Sequence, residues 1–347
     1  MSKQLNIFTE YGLEICRPKA QFIAESMRKP KYDIYRIDGH GFRYYYRFDE
    51  KGEPVFCLGV TSLISKTRPM GYGLKAILVD KGWDGFKDFM NERAGYGTWM
   101  HMMWNKLLLK KTVSNRETDL DKSMYDYCEK SRLLNYYNDS KIRAKWLIDM
   151  QSDLLAFAAW VDDHRVVPLI IEQPLLHSDG YGGSIDLLCE LTVQEKGYWG
   201  EVYKTGPRAG QEKETKQDVN VIAVVDYKSG RNAFFPDFEL QLHAYRNLVN
   251  ENYPDIKIDR LYNLSPKNWG NTEIPAYNFK DQTKTPVQEE FPHLLALAKI
   301  QNKLNKPSDV FQYECDIEIG KPMPESCKYV TIDEVVKQLK GKIKERE

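Results

Sequence analysis

The stretch Val219-Asn-Val-Ile-Ala-Val-Val-Asp-Tyr-Lys-Ser-Gly230 decides the fold of this chain. Its first seven residues are nearly all apolar and mostly β-branched, which predicts a strand buried on both faces. Because side chains alternate along a strand, Asp226 and Lys228 face one side and Tyr227 faces the other. A carboxylate and an ammonium at the end of a buried strand are costly to desolvate, so they form either a structural ion pair or a functional site.

Further strands and helices are predicted on both sides of this stretch. Apolar runs at 166–176 and 184–191 predict two strands before it, and a helix over 238–252 and a strand over 256–264 follow it. The polar segment 205–218, rich in Lys, Glu and Gly, predicts a mobile loop. This order of elements predicts an α/β or α+β fold in which helices flank a mixed central β-sheet, as in the core of restriction endonucleases.

The first half of the chain has a different character. Short β-rich runs between 32 and 58 predict a β-meander, and the following residues are mostly helical. Within the helical region, Gly95 and Gly97 predict the end of one helix, and Thr98 can cap the next. We expect an N-terminal β-meander extension (1–58), a helical region (59–165), a core (166–280) with an insert (192–218), and a C-terminal extension (281–347) with helices at 285–304 and 329–342.

Composition bounds the class of protein but not its partner. The 347 residues carry 50 basic and 50 acidic side chains, so net charge neither supports nor excludes nucleic-acid binding. No apolar run reaches the roughly 20 residues of a membrane span, and no apolar segment typical of a signal peptide follows Met1. The six cysteines contain no Cys-x-x-Cys pair, which is typical of reduced thiols in the cytosol. We expect a soluble, cytoplasmic protein with no membrane partner.

Polar side chains interrupt several of the predicted apolar elements. Asp186 lies in an otherwise apolar strand after Gly182-Gly-Ser-Ile185, and Glu172 interrupts the strand before it. Gln241 and Tyr245 are four residues apart, so they lie on one face of the helix predicted after the buried strand. Taken singly, these residues fit a turn cap, an edge position facing water and polar surface beside the core.

Together the set fits one kind of chemistry. Metal-dependent phosphodiester hydrolysis requires two or three carboxylates and a lysine on adjacent strands. Carboxylate oxygens hold Mg²⁺, which neutralises charge on the phosphate and activates a water molecule. A lysine can position that water and stabilise the pentavalent transition state.

The order of the motifs resembles that of the PD-(D/E)xK nuclease superfamily and, within it, the RecB-like exonucleases. The similar stretches are Gly183-Ser-Ile-Asp186, Asp226-Tyr-Lys-Ser-Gly230 and Gln241-Leu-His-Ala-Tyr245. Upstream, Gly97-Thr-Trp-Met-His101 is similar to the family's Gly-Thr-x-x-His, and Gly59-Val-Thr-Ser-Leu-Ile64 is similar to a segment of phage-encoded members. The resemblance spans roughly residues 55–265.

The resemblance implies a role for each candidate residue, with Mg²⁺ or Mn²⁺ as the cofactor. The metal ligands would be Asp186, Asp226 and His101. The other catalytic positions would be Lys228 as the catalytic lysine, Glu172 as a supporting acid, and Gln241 and Tyr245 on a helix that lines the site.

The chain departs from the family pattern in three places. Asp186 and Asp226 are 40 residues apart because the segment 192–218 is inserted. Asn105 stands where an acid often follows the histidine by four residues. The iron–sulfur relatives, which are the CRISPR-associated and helicase–nuclease branches, have a C-terminal cysteine cluster. Here Cys315 and Cys327, joined by Cys16 or Cys57, would be an unorthodox set, so no iron–sulfur cluster is expected.

The resemblance implies a Mg²⁺- or Mn²⁺-dependent DNase, an exonuclease of recombination or DNA processing, phage-encoded and acting in the host cytoplasm. DNA would be its partner, together with a recombination or replication protein. Two alternatives stay open: a non-catalytic nucleic-acid-binding protein on the same scaffold, and a restriction-type endonuclease. The basic residues of the insert would either contact phosphates beside the site or belong to a solvated linker; they are Lys204, Arg208, Lys213 and Lys216.

Overall fold

The computed structural model describes residues 14–16, 30–32, 34–39, 42–110, 112–230, 236–267, 276–300, 310–312 and 329–331. In this part of the chain one mixed sheet contains nine strands: β1 (Glu14–Cys16), β2 (Tyr35–Gly39), β3 (Phe42–Phe48), β4 (Pro54–Gly59), β5 (Val167–His177), β6 (Tyr181–Val202), β7 (Glu212–Tyr227), β8 (Arg260–Pro266) and β9 (Tyr277–Asp281). The strand order is β1-β2-β3-β4-β6-β7-β8-β9, and β5 pairs with β6. A separate pair joins β10 (Val310–Gln312) to β11 (Tyr329–Thr331).

Helices flank this sheet. They are α1 (Val60–Thr67), α2 (Tyr72–Lys110), α3 (Glu117–Lys130), α4 (Leu134–Asn138), α5 (Ser140–Asp163), α6 (Pro236–Asn252), a 3₁₀ helix (Pro286–Glu289) and α7 (Glu290–Ile300). The predicted fold class, a mixed central sheet flanked by helices, is confirmed. None of the helices in the described ranges has both the length and the apolar character needed to cross a bilayer.

Strand β7 is buried on both faces from Val221 to Tyr227, in the part where its sequence is apolar. Val221, Ala223, Val225 and Tyr227 belong to a core that includes side chains of α2, α3 and α5. Val224 belongs to a second core, which includes side chains of α1, α6 and α7. The sheet therefore separates two layers, and a site at the end of β7 can receive side chains from both.

The polar insert is an extension of the sheet. Strands β6 and β7 continue past the apolar core as an antiparallel ribbon, paired from Leu187↔Val225 as far as Tyr198↔Glu214 and again at Val202↔Glu212. The prediction of a mobile loop over 205–218 is therefore wrong from Glu212 onward. Beyond Val193 and Val219 both faces of the ribbon meet solvent, so its polar composition does not indicate the absence of a strand.

Helix α2 also differs from its prediction. It runs through Gly95 and Gly97 without a stop, and its non-helical residue is Gly82, with φ 68° and ψ 177°. A Cβ atom at Gly95 would lie 3.1 Å from both Leu133 and Trp146. A Cβ atom at Gly97 would lie 3.2 Å from the Oγ atom of Ser229. These glycines therefore let neighbouring groups pack closely against a continuous helix.

Near the two ends of the chain, one prediction is confirmed and one is wrong. Strands β2, β3 and β4 form the predicted meander, and β4 also pairs in parallel with β6 through Leu58↔Tyr181 and Gly59↔Gly182, which joins the meander to the central sheet. Tyr329–Thr331 form a strand where the sequence predicts the start of a helix. The remainder of that predicted helix, and residues 301–304 of the preceding one, lie outside the described residues.

Candidate functional site

The candidate site lies where strand β6 changes its neighbour. Near its start β6 pairs with β4, and from Leu187 onward it pairs with β7. Strand β5 pairs with one edge of β6 beside both of these stretches. Strands β4 and β7 therefore both pair with the other edge of β6, at different positions along it. Residues 183–186 lie between the two paired stretches.

Four polar side chains form a row across this end of the sheet. Strand register places Glu172 of β5 opposite Asp186 of β6, because the flanking pairs are Ile171↔Leu187 and Gln173↔Ile185. One step beyond Leu187↔Val225, Asp186 stands opposite Asp226 of β7. Asp226 pairs in turn with Asn263 of β8. The row joins residues far apart in the sequence because four neighbouring strands each supply one.

Helix α2 adds His101 to this row. His101 Nδ1 lies 3.6 Å from Glu172 Oε1 and 3.6 Å from Asp186 Oδ1. The three residues each offer a ligand atom, and these atoms lie within 4.8 Å of one another. The edge of the imidazole packs on Tyr227, with ring centroids 5.4 Å apart. This contact with the buried side of β7 fixes the position of His101 on the cluster.

The acids of the cluster are themselves held by hydrogen bonds. The backbone N–H of Tyr227 donates to Asp186 Oδ2 over 2.8 Å. Asn105 Nδ2, one turn after His101, donates to Glu172 Oε1 over 3.1 Å. Glu172 has a φ of 50°, in the left-handed region that costs a non-glycine residue about 1 to 3 kcal/mol. Strain of this kind is found at functional sites, and here it lies on a cluster acid.

A second set of polar contacts extends from Asp226 to helix α6. Lys228 Nζ lies 2.6 Å from Asp226 Oδ2 and donates to Gln241 Oε1 over 3.0 Å. Gln241 Nε2 donates in turn to the hydroxyl of Tyr245 over 2.6 Å. The Lys228 ammonium also lies 4.5 Å from the ring centroid of Phe238. The structure thus brings together Asp226, Lys228, Gln241 and Tyr245, the group implied by the sequence motifs.

Burial and charge make the carboxylates of the site unusual. Burial raises the pKa of Asp186 to about 7; His101 and Lys228 oppose this rise, and Asp226 and Glu172 add to it. Burial would lower the pKa of His101, but Asp186 and Glu172 together raise it to about 8. Crowded acids of this kind favour a bound cation, since a cation stabilises their charged forms.

The donor set fits a divalent metal ion. Carboxylate oxygens suit Mg²⁺ and Mn²⁺, and an imidazole nitrogen suits Mn²⁺ better than Mg²⁺. Asp226 is 1% exposed, and its Oδ1 atom has no hydrogen-bond partner among the described residues. Because unpaired buried carboxylate oxygens are costly, this atom is a further candidate ligand. His101, Glu172, Asp186 and Asp226 Oδ1 are the groups that would hold the ion.

Two expectations about the site change. The cluster that lies within 4.8 Å contains Glu172, predicted to have only a supporting role, whereas Asp226 stands beside it with one oxygen already used. The basic residues of the insert were expected beside the site, and this placement is wrong. Even Lys216, the nearest of them along β7, is ten residues from Asp226, or about 33 Å of strand. Lys204, Arg208 and Lys213 are farther along the ribbon, and their contact with nucleic acid stays a prediction.

The sequence motifs missed two contributors to the site, Asn263 and Phe238. Asn263 is a buried polar residue in the apolar strand β8, and that pattern also marked Asp186. Phe238 lies in the first turn of α6 and follows no motif, so only its contact with Lys228 identifies it. Cys57 is buried and unpaired, whereas Cys315 and Cys327 lie outside the described residues.

No protein-family model matches the chain, and no curated protein matches it.

Proposed function

We propose that this chain is a Mg²⁺- or Mn²⁺-dependent DNA nuclease, an exonuclease that hydrolyses phosphodiester bonds in recombination or DNA processing. One observation carries the proposal: His101, Glu172 and Asp186 offer ligand atoms within 4.8 Å of one another, directly beside the Asp226–Lys228 pair. A buried structural ion pair has no need of two further acids and a histidine next to it. The resemblance of the motifs to RecB-like exonucleases supports the same activity.

The roles of the residues follow from their positions. When bound, the divalent ion would neutralise charge on the phosphate and favour ionisation of the attacking water. His101, Glu172, Asp186 and Asp226 would hold that ion, and Tyr227 N–H and Asn105 fix Asp186 and Glu172. These contacts reduce the reorganisation that the site needs during the reaction.

Lys228 has a different role. Its ammonium group lies between Asp226 and Gln241, so it is fixed as a donor at the edge of the acid cluster. From there it can orient the attacking water and donate to a phosphate oxygen as negative charge develops in the transition state. Gln241 and Tyr245 act through Lys228, because their hydrogen bonds determine where the ammonium stands.

Three forms of DNA distinguish this proposal from its alternatives. Purified protein is incubated with linear duplex, single-stranded and covalently closed circular DNA, with Mg²⁺ and with EDTA. An exonuclease degrades the linear forms only when Mg²⁺ is present and leaves closed circles intact. Rapid linearisation of circles would identify a restriction-type endonuclease, and binding without cleavage would identify a non-catalytic binding protein. Copurification of a recombination or replication protein would reveal the proposed protein partner.

A further inference from the structure

Helix α2 extends well beyond the core, and its outer part meets solvent. Beyond Gly82 the helix is regular through His101. Trp83 and His101 are 18 residues apart, which is about five turns of an α-helix. The two side chains therefore lie on the same face of α2, about 27 Å apart along its axis.

Five further side chains lie on this face between Trp83 and His101, and the two nearest His101, Ala94 and Thr98, are small. At about 100° per residue, Phe86, Lys87 and Met90 lie within about 60° of Trp83 around the helix. Trp83 is 69% exposed, Lys87 and Met90 are exposed, and Phe86 is half-buried. We call Trp83, Phe86, Lys87 and Met90 the α2 stripe. Its inner end leads to the metal cluster at His101.

Acidic residues of this segment lie on other faces of the helix. Asp84, Asp88 and Glu92 are turned from Trp83 by about 100°, 140° and 180°. Between Trp83 and His101 this face of the helix therefore presents aromatic, apolar, basic and hydroxyl groups but no carboxylate. Such a face suits a polyanion that also carries flat apolar surfaces.

Single-stranded nucleic acid has this chemistry. Its bases stack on exposed aromatic side chains, and lysines contact its phosphates. The bases of a duplex are already stacked on one another, so their faces are not available to stack on an exposed indole. The distance from Trp83 to His101, about 27 Å, matches about eight nucleotides at a stacked rise of about 3.4 Å.

We propose that the α2 stripe binds a single-stranded segment of the substrate and leads it to the cluster at His101. This inference rests on the proposed nuclease function and specifies its substrate: a strand that reaches the site unpaired. Trp83 stacks on a base at the outer end, and Lys87 contacts a phosphate nearer the site. Both act in binding and neither touches the reacting phosphate.

The test measures binding without cleavage. Fluorescence anisotropy of a labelled oligothymidine that spans the stripe is recorded in EDTA with the full chain. We expect Trp83→Ala to weaken binding about tenfold or more, and Trp83→Phe to retain most of the affinity. Lys87→Ala should weaken binding and lower the salt slope by about one. The matched control is Lys106→Ala, because Lys106 is an exposed lysine of the same helix, turned by about 140° from Trp83.

The outcomes separate this inference from the proposed function. Wild-type affinity in both Trp83→Ala and Lys87→Ala would overturn the inference, as would an equal loss in Lys106→Ala. If the two stripe variants lose affinity but the wild type cleaves no DNA with Mg²⁺, the stripe stands and the nuclease proposal fails. If the wild type cleaves DNA and the stripe variants bind normally, only the stripe is refuted.

Discussion

Asn263 fixes the carboxylate of Asp226. Its Nδ2 donates to Asp226 Oδ2 over 2.8 Å, and its own Oδ1 accepts a hydrogen bond from Gln282 Nε2 over 3.1 Å. Asn263 and Gln282 are fully buried, so the amide cannot turn without losing a bond. Lys228 approaches the same Oδ2 atom, which leaves Oδ1 as the oxygen available to a ligand.

We predict that Asn263→Leu weakens Mn²⁺ binding by about 10- to 100-fold, the usual effect of removing a group that orients a metal ligand. Isothermal calorimetry on the full chain measures the affinity. Ser265→Ala is the control, because Ser265 is buried two residues along the same strand and bonds Asn278 instead of Asp226. Unchanged Mn²⁺ affinity in Asn263→Leu would show that Asp226 does not depend on this bond.

Gly183 should tolerate no side chain. A Cβ atom there would lie 2.7 Å from Cε1 of Tyr245, so Gly183→Ala forces the ring away from Gln241. We expect the free energy of unfolding to fall by about 1 to 3 kcal/mol and activity to fall with it, because Gln241 also holds Lys228. Urea unfolding measures the loss. Gly73→Ala, with nothing within 4 Å of its added Cβ, should be neutral or slightly stabilising.

Removing the imidazole of His101 should weaken the use of Mn²⁺ more than the use of Mg²⁺. His101→Ala is expected to raise the Mn²⁺ concentration needed for half-maximal cleavage more than the Mg²⁺ concentration, since nitrogen is a softer ligand than oxygen. Titration of activity against each metal measures both values. Half-saturation that stays the same for both ions would mean that His101 only packs against Tyr227.

A carboxylate far from the site should make stability depend on acid pH. Burial alone would raise the pKa of Glu251, but hydrogen bonds from Lys31, Ser178 N–H and Tyr32 lower it to about 2. The stabilisation is therefore complete above the ordinary value of 4.5 and is lost as the pH falls towards 2. Glu251→Gln should lower the free energy of unfolding by about 1 kcal/mol at neutral pH. The loss is this small because solvent screens these contacts.

Chemical denaturation across the acid range checks this dependence. The difference in the free energy of unfolding between wild type and Glu251→Gln should shrink as the pH falls from 4.5 towards 2. Glu50→Gln, at an exposed turn residue, should show no such convergence. A difference that stays constant over this range would exclude the contribution of the lowered pKa.

The sequence was most informative where an element is packed by an apolar core. The run from Val219 to Val225 gave the buried strand, and Asp186 stood out because a carboxylate interrupts an otherwise apolar strand. Asn263 carries the same signal in β8, but no sequence motif contains it. Register across four strands then brought these residues into one row, and a single sequence does not encode that register in any local pattern.

Two segments differ from their predicted structure because local composition does not show the contacts that form there. The ribbon beyond Val193 and Val219 has solvent on both faces, so no alternation of apolar and polar residues marks its strands. Glycines such as Gly95 and Gly97 commonly end a helix. Here they lie inside one, because Trp146 and Ser229 approach too closely for a larger residue. Strand pairing determines the structure of the ribbon and close packing that of the helix, whereas local composition indicates neither.

The central claim is that the row of carboxylates performs metal-dependent phosphodiester hydrolysis. The most direct measurement is the rate at which Asp186→Asn cleaves end-labelled linear duplex DNA in Mg²⁺, alongside wild type and Asp80→Asn, an exposed aspartate of α2. A neutral amide is a poor Mg²⁺ ligand, so we predict that Asp186→Asn loses cleavage while its circular dichroism and thermal unfolding stay those of a folded protein. Asp80→Asn should cleave like the wild type. Near-native cleavage by Asp186→Asn would contradict the claim.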